Sequence, residues 1–343
     1  MNPGRAVVEG LTRVQRAPAL LAGMWLTTVL VALPFALTLN GMIASHLGAS
    51  LAAEAAADGV NFDWWNEFTA QATGIGQTFV PSIIGFAAPL GNLSELVDAE
   101  GLPVVVAPAV ALHMAISAFL MGGVLDRLAR NRATGSHAFF AASGVFFFRF
   151  LRLAIAAVLV YGFLFTTLHV WLFDTLYVSL TRDLAVERTA FVYRLLGYTL
   201  FATLLLAVNL VFDYAKIRAV VEDRRSMLGA LTAAVRFVAR HRGATIGLYL
   251  MNAGAFAAVL FLYYVLAPSV GQGARAWLVL LVGQLYIVLR VALRLQFAGS
   301  QIALFQSRLA HAAYTATPTP LWPESPAAES IGRVQRAELS VQS

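Results

Sequence analysis

The sequence predicts an all-α, polytopic membrane protein with about six transmembrane helices, arranged as three hairpins with cytoplasmic interfacial helices. Three observations carry that expectation. Only 12% of the residues are charged against 59% hydrophobic, whereas soluble domains run near a quarter charged. The apolar residues fall in runs long enough to cross a hydrocarbon layer of roughly 30 Å, which takes about 20 residues of helix. Arg concentrates in the segments between alternate runs, as positive-inside bias requires.

The runs cover residues 17–44, 101–125, 153–173, 195–212, 243–267 and 276–289. The sixth is short because Arg290 and then Arg294 follow it. Arg near a helix end can snorkel to the headgroups, and Val291, Ala292, Leu293 and Leu295 continue the helical pattern. Pro34 lies inside the first run, and Pro103 and Pro108 lie near the start of the second. They predict kinks that neighbouring helices accommodate. Arg5, Arg13 and Arg16 resemble the basic start of a secretory signal, but the uncharged run after them exceeds the roughly 7–15 residues of a signal core. A retained first helix is expected.

Orientation follows from the charges. Arg127, Arg130, Arg132, Arg149 and Arg152 lie between the second and third runs. Lys216, Arg218, Arg224, Arg225, Arg236, Arg240 and Arg242 lie between the fourth and fifth. Residues 45–100 carry no Lys or Arg, yet hold Glu54, Asp58, Asp63, Glu67, Glu95, Asp98 and Glu100. This places the N- and C-termini in the cytoplasm and the acidic segment outside, as an extracytoplasmic helical insertion. Phe62, Trp64, Trp65 and Phe68 suggest that the insertion lies on the outer membrane surface, with Trp at headgroup level, either as a capping loop that only covers the helix bundle or as a docking surface for a periplasmic partner. Residues 1–311 are then the membrane domain. Residues 312–343, with Pro318, Pro320, Pro323 and Pro326, read as a disordered cytoplasmic tail.

The runs read either as a threefold repeat or as Arg spacing produced by positive-inside pressure alone. Arg13 and Arg16 precede the first, Arg149 and Arg152 the third, and Arg236, Arg240 and Arg242 the fifth. Asp126 through Arg130 after the second run resembles Asp213 through Arg218 after the fourth, whereas the exit at Arg294 and Gln296 lacks the Asp. Segments 137–152 and 226–242 space apolar residues three and four apart with Arg at the edge, as interfacial helices do. Simple extensions of the following spans would look alike, although Gly243 at the end of the second stretch favours a bend and hence a separate helix. This arrangement, together with the acidic exit Asp213 to Glu222, Asp223, Arg224, Arg225 and Ser226, resembles bacterial six-helix membrane families. One is the membrane domain associated with glycerophosphodiester phosphodiesterases. The resemblance covers roughly residues 1–310 and implies a fold, with no substrate and no catalytic residue to carry over.

Few residues offer chemistry. Zero cysteines exclude disulfides and thiol chemistry, and zinc-protease, nucleophile-elbow and phosphate-loop signatures are absent from the sequence. No catalytic residue, cofactor or metal site is expected. His113, Asn209, Asn252 and Gln284 are polar residues inside spans; they either tie helices together or line a cavity. Asp213 is expected to pair with Arg290 or Arg294 across two helices, or else with Lys216 on its own helix. A basic balance of +6 placed between apolar runs points to lipid, not nucleic acid. The expected function is a non-enzymatic scaffold, assembly factor or accessory subunit of a bacterial inner membrane, with a membrane or periplasmic protein partner. The alternative is a transporter or channel component for a lipid-like or small solute, with those four polar residues converging on one cavity.

Overall fold

The computed structural model describes residues 1–48, 52–58, 61–79, 94, 96, 98–99, 104–266 and 274–309. The tail at 312–343 lies outside the described residues. The fold is all-α, and six helices are long and apolar enough to cross a membrane. A short amphipathic helix, α1 (Pro3–Gln15), precedes the first span, α2 (Pro18–Leu47). Two short helices follow in the acidic insertion, α3 (Ala53–Asp58) and α4 (Phe62–Gln71). The remaining elements are α5 (Ala107–Arg130), α6 (Ser136–Thr181), α7 (Glu187–Val221), α8 (Met227–Arg240), α9 (Arg242–Leu266) and α10 (Ala274–Arg308).

Several boundaries have local causes. Asn2 opens α1 by accepting the Arg5 amide at 2.9 Å, and Pro3 sits where a missing N–H costs nothing. Pro108 similarly falls in the first turn of α5 and produces no mid-helix kink; Pro103 lies outside the described residues. Helix α5 stops at Asn131, which adopts the left-handed conformation at φ 49° and so turns the chain out of the helix. Pro34 stays within an unbroken α2.

The two expected interfacial stretches behave differently. Residues 226–242 do form a separate helix, α8, capped at its start by Ser226 and broken from α9 at His241. Residues 137–152 instead continue without a break into the third span, giving one helix of 46 residues. That stretch holds one Gly and no Pro, and a single glycine costs only about 1 kcal/mol. Farther along, α6 relaxes into two π-helical stretches, Leu164–His169 and Trp171–Tyr177.

The helices close into a ring. Each basic amphipathic segment docks on the exit end of another hairpin: the start of α6 on α5, α8 on α7, and α1 on α10. The last contact joins the beginning of the chain to its end. Together these segments build one core, in which Leu128, Phe150, Tyr214, Ile217, Ala234, Ile302 and Phe305 are buried. The apolar outer halves contribute little to it. No residue of α2 is buried, and Leu26, Leu30, Leu33 and Leu37 form an exposed stripe along it. Burying apolar surface stabilises only where water is the alternative; between helices in lipid that drive is absent. The core therefore sits at the charged, water-facing end.

Glycine sets how closely the ring closes. A Cβ on Gly10 would lie 2.6 Å from the Ser300 amide nitrogen and 2.8 Å from the Gln296 carbonyl. Both are backbone atoms that cannot retreat. At the neighbouring junction a Cβ on Gly122 would meet Phe146 Cβ at 2.9 Å. Gly10→Ala is expected to lower stability by roughly 1–3 kcal/mol, read as a clear drop in Tm in detergent. Gly144→Ala, whose Cβ meets nothing within 4 Å, should leave Tm unchanged or raise it slightly; equal behaviour of the two variants would exclude the close approach.

Candidate functional site

The basic end gathers most of the polar chemistry in the protein. Helix α5 leaves its last carbonyls without intrahelical partners, as every helix does. Two distant side chains satisfy them. Arg13 of α1 donates from Nη1 to the Leu128 carbonyl and to Gln306 Oε1, each at 3.0 Å. Gln306 of α10 donates to the Ala129 carbonyl at 3.0 Å. Arg13 also pairs with Glu9 at 3.0 Å. In return Arg127 of α5 donates to the Arg16 carbonyl at the end of α1, at 2.8 Å. Elsewhere in the ring, Arg218 of α7 reaches the Ala233 carbonyl of α8 at 2.7 Å and lies 5.4 Å from the Phe305 ring centroid. Arg149 of α6 meets Asp223 beyond α7 at 2.5 Å.

The four polar residues expected inside the spans have separate partners. Gln284 of α10 accepts from Trp25 Nε1 of α2 at 3.1 Å. Asn209 of α7 donates to the Tyr249 hydroxyl of α9 at 2.7 Å. Asn252 of α9 is buried and donates to Leu248 O at 3.0 Å and to Ser300 Oγ of α10 at 3.2 Å. His113 stays within α5, 3.4 Å from Ser117 Oγ. Three of the four thus tie one helix to another, each at a different junction. Asn209 alone among them borders a cavity of about 280 Å³, whose wall also includes Ser117, Tyr161, Lys216 and Arg294.

Asp213 pairs with Lys216 at 2.6 Å, and Gln301 of α10 donates to its other oxygen at 3.4 Å. The interhelical pair with Arg290 or Arg294 is not formed. Residues three apart on one helix are neighbours already, and Arg290 and Arg294 are both exposed. Arg294 remains within electrostatic reach of Asp213. The link between α7 and α10 at this depth is the amide of Gln301, which hydropathy and charge counting do not mark.

The acidic insertion is held by aromatics. Trp64 and Phe68 of α4 are buried against Leu39, Met42, Ile43 and Leu47 of α2. Trp64 Nε1 donates to His46 Nδ1 at 3.0 Å, and Trp65 Nε1 to the Phe79 carbonyl at 2.9 Å. Trp64 therefore packs on the tip of α2, because a buried indole N–H needs an acceptor and His46 of α2 supplies one. Asp63, Asn66, Glu67 and Ala70 are left exposed on the opposite side. Farther along, Tyr198 of α7 donates to Asp98 at 2.5 Å. That hydrogen bond holds the Asp98 carboxyl below the usual carboxylate range, so the contact persists to more acidic pH than a free Asp would allow.

Among the described residues, no group of three or more His, Asp or Glu is placed to hold a metal ion. Comparison with protein-family models, curated proteins and solved structures finds no match.

Removing one member of the Asp213 pair should be costly. Lys216→Met leaves a partly buried carboxylate without its cation, whereas Arg290→Met removes an exposed charge. We expect the first to lower Tm distinctly more than the second, as read by thermal unfolding in detergent. The reverse order would show that Asp213 depends on α10 for its partner.

Proposed function

We propose that the protein is a non-enzymatic scaffold, assembly factor or accessory subunit of a bacterial inner membrane, and that the acidic insertion docks a periplasmic partner. The basic end and both termini then lie in the cytoplasm, in line with positive-inside bias. The observation that carries this reading is the mounting of α4. Its aromatic side is fixed to the tip of α2, and Asp63 and Glu67 stand one turn apart on the exposed side. A rigid acidic face needs no ordering on binding, which favours recognition of a basic protein surface. The ring of three units also fits kinship with the membrane domain associated with glycerophosphodiester phosphodiesterases. Neither a cofactor nor nucleic acid enters this reading.

A second reading, a transporter or channel component for a lipid-like or small solute, is favoured by the cavity beside Asn209. Its wall combines Ser117, Tyr161 and Asn209 with the cations Lys216 and Arg294. Against it, Asn252, Gln284 and His113 are engaged elsewhere.

Two measurements test the main reading. Because the natural chain lacks cysteine, Asn66→Cys should react with an impermeant thiol reagent on intact cells, and Ser226→Cys only after permeabilisation. A photo-crosslinking residue at Glu67 should then yield a defined protein adduct that disappears when Asp63→Lys is added, with the abundance of the chain unchanged. Adducts indifferent to that charge reversal would remove the acidic face from the proposal.

A further inference from the structure

A cavity of about 400 Å³ lies between the start of α2, the end of α5 and the start of α6. Its size falls within the range of small-ligand sites. Most of its wall is apolar, with Leu20 and Met24 on α2, Leu120 on α5 and Phe139 on α6. Arg127 is the buried charge in that wall. This side chain is only 6% exposed, and no carboxylate among the described residues pairs with it. The adjacent Asp126 is bound to Arg130 at 2.8 Å. Arg127 spends one nitrogen on the Arg16 carbonyl, and its Nη1 has no hydrogen-bond partner. A buried guanidinium without counter-charge is costly, and an arriving anion removes that cost.

Two further features point to the kind of anion. The exposed Arg16 side chain borders the same cavity and makes no ion pair among the described residues, and the rim carries Thr134 and Ser136. Paired guanidinium groups suit a phosphate, which they grip through several N–H donors at once. The cavity also runs along α2 from Pro18 to Thr27, about 14 Å at 1.5 Å per residue. Gly23 lies on this path, and a Cβ there would meet nothing within 4 Å. A free phosphate has no use for such an apolar extension, whereas an acyl chain does.

We propose that this cavity binds one anionic phospholipid, with its phosphate between Arg127 and Arg16 and an acyl chain along Leu20, Gly23 and Met24. The site lies at the basic end, where α1 joins the ring, so the lipid would reinforce the junction of α1, α2 and α5.

The test uses the purified full chain in neutral detergent, titrated in native mass spectrometry with short-chain phosphatidylglycerol, phosphatidylcholine or inorganic phosphate. We expect one phosphatidylglycerol per chain, bound at least about tenfold more tightly than phosphatidylcholine, and no retained phosphate. Gly23→Leu fills the chain path and should weaken phosphatidylglycerol about tenfold or more. Arg16→Gln removes the outer guanidinium and should weaken it severalfold. These two variants carry the decision, because Arg127→Gln also loses the hydrogen bond to α1. Gly23→Leu binding like the natural chain would overturn the placement of the acyl chain. Inorganic phosphate retained as firmly as phosphatidylglycerol would show a free-anion site, and equal retention of phosphatidylcholine would exclude charge recognition.

Discussion

The arrangement of the whole bundle depends on the contact between α1 and α10. Gly10 brings the two backbones so close that no side chain fits between them. From there Arg13 reaches α5 and Gln306 at once. This single junction joins the first helix to the last and turns a row of three hairpins into a closed ring. It also positions Arg16 above α5, so that Arg127 can donate to its carbonyl. Without it, the exit carbonyls of α5 would have neither Arg13 nor Gln306, and a buried carbonyl left alone costs about 1–3 kcal/mol.

The location of the core follows from the two solvents the protein meets. At the basic end, burial of Tyr214, Phe305 and Leu128 removes apolar surface from water, and the hydrophobic effect rewards it. In the apolar halves, lipid is as good a neighbour as another helix, and packing must rely on shape and on hydrogen bonds worth roughly 1 kcal/mol each. The contacts of Gln284 and Asn209 are of this second kind. Each holds one pair of helices at one depth, which suits a bundle that is tight at one end and presents apolar faces at the other.

The insertion solves a related problem. A segment this small makes a marginal core by itself, and with no cysteine it has no disulfide to help. It instead borrows the end of α2, where Trp64 and Phe68 complete a small core with Met42 and Leu47. His46 serves as acceptor for the Trp64 indole. The aromatics signalled in the sequence that this segment folds against something apolar; the structure shows that Trp64 and Phe68 meet α2.

The sequence by itself determined the fold class, the six spans, the concentration of Arg at alternate connections and the identity of the polar residues inside the membrane. Those properties are local: length, hydropathy and charge act within one helix. Gly243 at the end of 226–242 favoured a separate α8, whereas nothing comparable distinguished 137–152 from the span that follows, since both readings share one pattern. What only the tertiary structure decided was partnership. Asp213 chose Lys216, Gln284 met Trp25, and Arg13 capped α5. Apart from the first, these pairs join residues more than a hundred positions apart in the chain, and their geometry exists only once distant helices have docked on one another. Hydrogen bonds depend on distance and direction at the scale of an ångström, a quantity that periodicity along a single helix does not carry.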